Sequence, residues 1–201
     1  MKKIIAITAG LSQPSSTRML ADRLSEATTK GLENFALDAE ITVVELRDHA
    51  HAITDMLLTG FPSAELREVI DAMKSSDGII AVTPIFSAGP SGLFKSFLDL
   101  FRAEDLENKP VLMAATGGTA RHSLVMETAI RPVLTYLRAH IATTAVFAAT
   151  DDWSGTDDAN PLPARIERAG EQFADLVNAY KNSGPIDEFD NAPSFLDLLN
   201  A

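Results

Sequence analysis

Cysteine is missing from all 201 residues. That absence excludes disulfide frameworks, thiolate zinc sites, iron–sulfur clusters and a cysteine nucleophile. Basic residues are in short supply: 17 Lys and Arg face 28 Asp and Glu, for a net charge of −11. A surface of that sign opposes general binding to nucleic-acid phosphates. It still allows a phosphate-bearing small ligand, because backbone N–H groups can hold an anion without side-chain charge. Long apolar runs are absent too, and none approaches the roughly 18 residues of a membrane span. The opening stretch Met1-Lys2-Lys3-Ile4-Ile5-Ala6-Ile7 is too short and too strand-like for a secretory signal. A cytoplasmic protein with no membrane or nucleic-acid partner is expected.

What is present reads as one globular unit. The hydrophobic share of 46% and charged share of 22% are ordinary. A chain of this length can bury about 70% of its unfolded surface, so it needs no metal or disulfide to fold. Short apolar runs suited to strands buried on both faces occur at Lys3 to Thr8, Ile41 to Leu46, Gly78 to Thr83, Lys109 to Ala115 and Ile141 to Ala149. Helical spacing separates them, over Thr17 to Gly31, Ala64 to Lys74, Ser91 to Phe101, His122 to Ala139 and Ala164 to Lys181. Pro132 is an irregularity inside the fourth of these. Arg47 to Gly60 fits neither period. Strands alternating with helices predict an α/β three-layer sandwich around a parallel sheet, over residues 1–181, followed by an acidic tail, 182–201.

In such sheets a ligand lies beyond the carboxyl ends of the strands, where strand order reverses. That rule selects three loops. Gly10 to Arg18 carries the hydroxyls of Ser12, Ser15, Ser16 and Thr17 at a helix start, which suits phosphate. It lacks the glycine-lysine-hydroxyl ending of a P-loop and the G-x-G-x-x-G turn, so tightly bound ATP, GTP or dinucleotide is disfavoured. Ordinary capping by Ser15 or Ser16 is the plainer reading of the same residues. Thr83 to Gly92 holds two prolines and two glycines around Ile85 and Phe86, stiff enough to lay an apolar ring against. Thr116-Gly117-Gly118 lets backbone approach a planar ligand closely.

These motifs carry a resemblance. Gly10-Leu11-Ser12 through Ser16-Thr17-Arg18, Thr83-Pro84-Ile85-Phe86 followed by Gly92-Leu93-Phe94-Lys95 and Asp99, and Thr116-Gly117-Gly118 resemble the NAD(P)H-dependent FMN reductases of the flavodoxin-like superfamily. The likeness spans about residues 3–181. Thr59-Gly60-Phe61-Pro62-Ser63 and Thr116 to Leu124 resemble the branch that serves luciferase-like, flavin-dependent monooxygenases. The resemblance implies a flavodoxin-like five-stranded parallel sheet of order 2-1-3-4-5. It implies that Ser12, Ser16, Thr17 and Arg18 hold the FMN phosphate. Pro84, Ile85, Phe86 and Ser87 would line the isoalloxazine and ribityl, and Thr116, Gly117 and Gly118 would bound the pyrimidine edge. NADPH or NADH would donate hydride, a homodimer or homotetramer is implied, and no side chain need act as acid or base. A bulky replacement at Gly117 is expected to abolish FMN binding. Many relatives start the first loop with Gly-Ser, where this chain has Gly10-Leu11-Ser12.

Two other activities fit the same residues. One passes electrons to quinones, azo dyes or chromate from the same flavin. The other is a flavodoxin-type electron carrier without NAD(P)H activity, although flavodoxins usually carry a T-x-T-G-x-T-type loop where this chain has Ser12 to Arg18. His49 and His51 lie two residues apart but belong to no metal-ligand pattern. His122 and Arg121 follow the third loop and are candidates for contact with a cofactor. Trp153 lies among Asp151, Asp152, Asp157 and Asp158, where it could cap a flavin or nicotinamide ring or anchor a loop. Phe189 to Leu199 is read as a segment that docks on a neighbouring subunit or stays disordered.

Overall fold

The computed structural model describes residues 1–153 and 161–181. The acidic stretch around Asp157 and the tail beyond residue 181 lie outside them.

Apolar runs become the strands β1 (Lys2–Thr8), β2 (Ala39–Glu45), β3 (Gly78–Phe86) and β5 (Pro110–Gly117). All pair in parallel, in the order β2-β1-β3-β5. The reversal of strand order between β1 and β3 opens the ligand crevice of such folds. Two short strands, β6 (His140–Ile141) and β7 (Val146–Ala149), extend the sheet beyond β5. They are one expected strand in two pieces. Four residues of β5, Val111 to Ala114, face six of the edge, Ile141 to Val146. The surplus makes a bulge. Inside it the Thr144 N–H donates to the Gln172 side chain at 2.9 Å rather than to the sheet. Counted as one strand, the edge completes the expected 2-1-3-4-5 topology.

Helices α1 (Ser16–Glu33) and α6 (Leu162–Ala179) cover one face of the sheet. Ile4, Ala6, Ile80, Val82, Leu112 and Ala114 meet them there. Gly170 allows the two helices to touch, since a Cβ there would come within 2.7 Å of the Ala27 backbone. The opposite face is covered by α2 (Ala50–Thr59), α3 (Ala64–Ser75), α4 (Gly92–Leu98) and α5 (Arg131–Tyr136). Helix α2 and the 3-10 turn Leu46–His49 before it occupy the stretch that sequence periodicity leaves unassigned.

Two expectations are corrected. The single helix over 122–139 is instead a 3-10 turn (Ala120–His122), a π turn (Met126–Ile130) and the short α5. Pro132 at the start of α5 has no N–H for an i→i−4 bond, and its ring crowds the preceding turn, so the helix widens before it. The second loop is not a loop at first. Strand β3 runs on through Pro84, Ile85 and Phe86, reverses at Ser87-Ala88, and returns as β4 (Gly89–Pro90). Ser87 and Ala88 both sit at positive φ, 48° and 63°. That is the pattern of a two-residue type I′ hairpin, built without its usual asparagine or glycine.

Candidate active site

The carboxyl ends of β1, β3, β5 and β7 share one rim, and a cavity of about 420 Å3 opens there. Its wall is Gly10, Leu11, Ser12, Ser16 and Thr17 from the first loop, Pro84, Ile85 and Phe86 from the hairpin, Thr116, Gly117 and Gly118 from the third loop, and Thr150 with Trp153. Three segments far apart along the chain therefore meet, as the fold rule requires. The volume lies within the roughly 300–1,000 Å3 of small-molecule sites. Among the described residues the wall carries no charged side chain.

The anion-facing end is built by α1. Ser15 is its N-cap, in extended conformation, and accepts from the Arg18 N–H at 3.2 Å. Capping by Ser15 leaves the N–H groups of Ser16 and Thr17 without an acceptor among the described residues. Those two amides carry the positive end of an 18-residue helix dipole. Gly10 is required beneath them, because a Cβ there would run into the Ser15 hydroxyl. The Thr17 and Thr116 hydroxyls meet at 2.9 Å and bolt the first loop to the third. Both residues are buried, at 2% and 4% exposure.

The planar end is framed by the hairpin and the third loop. The Thr83 hydroxyl accepts from the Ser91 N–H at 3.1 Å, and Ser91 N–H also bonds the Pro84 carbonyl at 3.0 Å, which fixes the base of the hairpin. Ile85 is half-buried and Phe86 is 47% exposed, so both offer apolar surface to an incoming ring. The two glycines of the third loop differ. A Cβ on Gly117 would meet the Phe147 ring at 2.8 Å, whereas one on Gly118 meets nothing within 4 Å. Gly118 is thus the position where an added side chain would intrude on a ligand, and Gly117 is needed for packing against Phe147.

Arg18 and Ser87 are expected in the site but do not line it. The Arg18 Nε donates to Asp22 at 2.8 Å and its Nη1 to Glu45 at 3.0 Å. The hydrogen bond to Asp22 raises the pKa of this guanidinium above its already high value; burial opposes it, and Glu45 adds a smaller push upward. Ser87 sits at the tip of the hairpin, exposed. His122 and Arg121 also lie outside the wall. Conversely, Thr150 and Trp153 join it. They belong to a 3-10 turn, Thr150–Trp153, closed by a 2.8 Å bond from the Ala149 N–H to Asp152. The Arg23 guanidinium lies 5.0 Å from the centre of the Trp153 ring and steadies it.

The family model of the NADPH-dependent FMN reductases matches residues 2–154. The chain belongs to that family. It is 33% identical to the FMN reductase (NADPH) of Pseudomonas aeruginosa over 175 residues, covering 87% of this chain and 91% of that one. It is 31% identical to the NADH-dependent FMN reductase SfnF of Pseudomonas fluorescens, over 89% of this chain and 93% of the relative. Among solved structures, an oxidoreductase from Corynebacterium diphtheriae superposes with a TM-score of 0.86 at 39% identity, covering 90% of this chain and 99% of that one. The flavodoxin-like architecture expected from the motifs is therefore that of the family.

Proposed function

We propose that this protein is an NAD(P)H-dependent FMN reductase and that it binds FMN in the cavity at the sheet's carboxyl rim. The observation that carries the reading is the convergence of three turns on one uncharged cavity in a chain of this family. The donor set suits FMN from end to end. Free N–H groups of Ser16 and Thr17, with the hydroxyls of Ser12, Ser16 and Thr17, suit a phosphate. Pro84, Ile85 and Phe86 suit the apolar ring and ribityl, and Thr116, Gly117 and Gly118 suit its polar edge.

FMN supplies the hydride-accepting chemistry when bound. The chain's part is to hold and orient. Phe86 and Trp153 stand on the cavity wall as apolar surfaces for stacked rings. The Gly118 N–H, without an acceptor among the described residues, can stabilise negative charge at the ring's polar edge. No side chain is assigned as acid or base. Relatives that carry the names of NADPH- and NADH-dependent enzymes support either donor.

The finer reading is a homodimer or homotetramer in the cytoplasm that hands reduced flavin to a flavin-dependent monooxygenase. Exposed apolar side chains support assembly, notably Leu58 at 81%, Phe61 at 77%, Tyr136 at 74% and Leu124 at 70%. The resemblance of Thr59 to Ser63 and of Thr116 to Leu124 to the monooxygenase-serving branch supports the destination. Anaerobic mixing of the protein with FMN and either nucleotide tests the core of the reading. Loss of the flavin's visible absorbance that needs both protein and nucleotide is expected. A spectrum unchanged with both NADPH and NADH would leave only an electron carrier or a passive flavin-binding protein.

A further inference from the structure

Two arginines beside the first loop of the cavity, Arg18 and Arg47, are both engaged by carboxylates. Arg18 adjoins Thr17 of the wall, and Arg47 donates from Nη1 to the carbonyl of Ser12, another wall residue, at 2.9 Å. Between them stands Glu45, the last residue of β2, paired in the sheet with Thr8 and so at the same rim. One oxygen of Glu45 accepts from Arg18 at 3.0 Å, and the other is ion-paired with Arg47. Asp22 holds Arg18 from its far side, and Asp48 lies 3.7 Å from Arg47. Two guanidiniums thus meet three carboxylates. Glu45 and Arg47 are mostly buried, with side chains 17% and 16% exposed, so this is a built arrangement rather than a loose surface pair.

Taking the cavity as the FMN site, we propose that Glu45 sets the strength with which the flavin phosphate is held, by keeping Arg18 off it. The phosphate end then relies on hydroxyls, amides and a helix terminus, which are neutral donors. Neutral donors give weaker hold on a dianion than a charge-assisted guanidinium fork. Such a site lets its flavin exchange, as a reductase must if reduced flavin is to leave for another protein. Arg47 meanwhile keeps the first loop in shape through the Ser12 carbonyl, so Glu45 both withholds charge and preserves the loop.

The test compares FMN with riboflavin, which has the same ring and ribityl but no phosphate. Dissociation constants are measured by quenching of flavin fluorescence for wild type, Glu45→Gln, Asp22→Asn and the double variant Arg18→Met with Glu45→Gln. The expected result is a preference for FMN over riboflavin that rises roughly threefold to fivefold in Glu45→Gln, the size of a partly exposed charge effect. Asp22→Asn, at a half-exposed position, should shift the preference the same way and serves if Glu45→Gln does not fold. The double variant should lose most of the gain, because Arg18 is the cation set free. An unchanged or lower preference in the folded variants overturns the proposal. Wild-type protein that binds neither flavin overturns the reading of the cavity itself, a failure seen before any variant is compared.

Discussion

The bond between Thr17 and Thr116 can be measured as an energy. It joins the start of α1 to the end of β5 and is the one side-chain bond seen between two loops of the cavity among the described residues. Each residue is at least 96% buried, so a hydroxyl left alone there is poorly placed to find a replacement partner. Thr116→Val keeps the shape and strands the Thr17 hydroxyl, and Thr17→Val does the reverse. Leaving one buried polar group unsatisfied costs about 1–3 kcal/mol, whereas replacing both partners with apolar groups of the same shape is nearly neutral. Each single variant should therefore lose about 1–3 kcal/mol in urea unfolding, and Tm should fall by about 2–4 °C per kcal/mol in a domain of this size. The double variant should be more stable than either single one. The cycle should give a coupling of about 1–2 kcal/mol. Strictly additive losses would show that the two hydroxyls do not share a bond, and with that the link between the first and third loops would fall.

The two glycines of the third loop should separate by assay. Gly118→Val should weaken FMN binding at least tenfold while leaving Tm within about 2 °C, whereas Gly117→Val should lower Tm by driving a side chain into Phe147. Ala88→Gly should raise unfolding stability by about 1 kcal/mol, because a residue at φ 63° loses its left-handed strain. Burial, opposed by Asp77, lowers the Lys109 ammonium from its ordinary 10.5 to about 8. The folded protein therefore binds fewer protons than the unfolded chain above pH 8, and stability should rise from about pH 8 to pH 10, by at most about 1.4 kcal/mol per unit. Above that range Tyr180 opposes the rise, since its own burial raises its pKa from 10.0. Urea unfolding at several pH values checks this, and Lys109→Met should flatten the slope.

Much of the site is legible in the residues because its parts are local. Apolar runs, loop hydroxyls and paired glycines are read one segment at a time, and the rule for parallel sheets puts three of those segments on one rim. What escapes is set by contacts between segments. The hairpin at Ser87-Ala88 has no Asn-Gly or Asp-Gly to announce it, and only the pairing of Phe86 with Gly89 reveals it. The bulge in the last strand is a matter of register against β5, invisible in the run Ile141 to Ala149. Thr150, which no motif singles out, enters the wall because the turn after β7 carries it back to the rim together with Trp153, the candidate ring cap. Arg18 is the instructive case. Its spacing to Asp22 is an i,i+4 pair visible in the sequence, and that signal favours a residue already engaged over one waiting for phosphate. The Glu45 carboxylate that completes the arrangement comes from another strand and gives no such signal.

A crystal soaked in FMN examines the site most directly. The phosphate should lie at the N–H groups of Ser16 and Thr17, with the ring between Phe86 and the Thr116 to Gly118 turn. Density for the flavin on another face of the molecule, or its phosphate at the opposite end of the cavity, would contradict the assignment of these three turns.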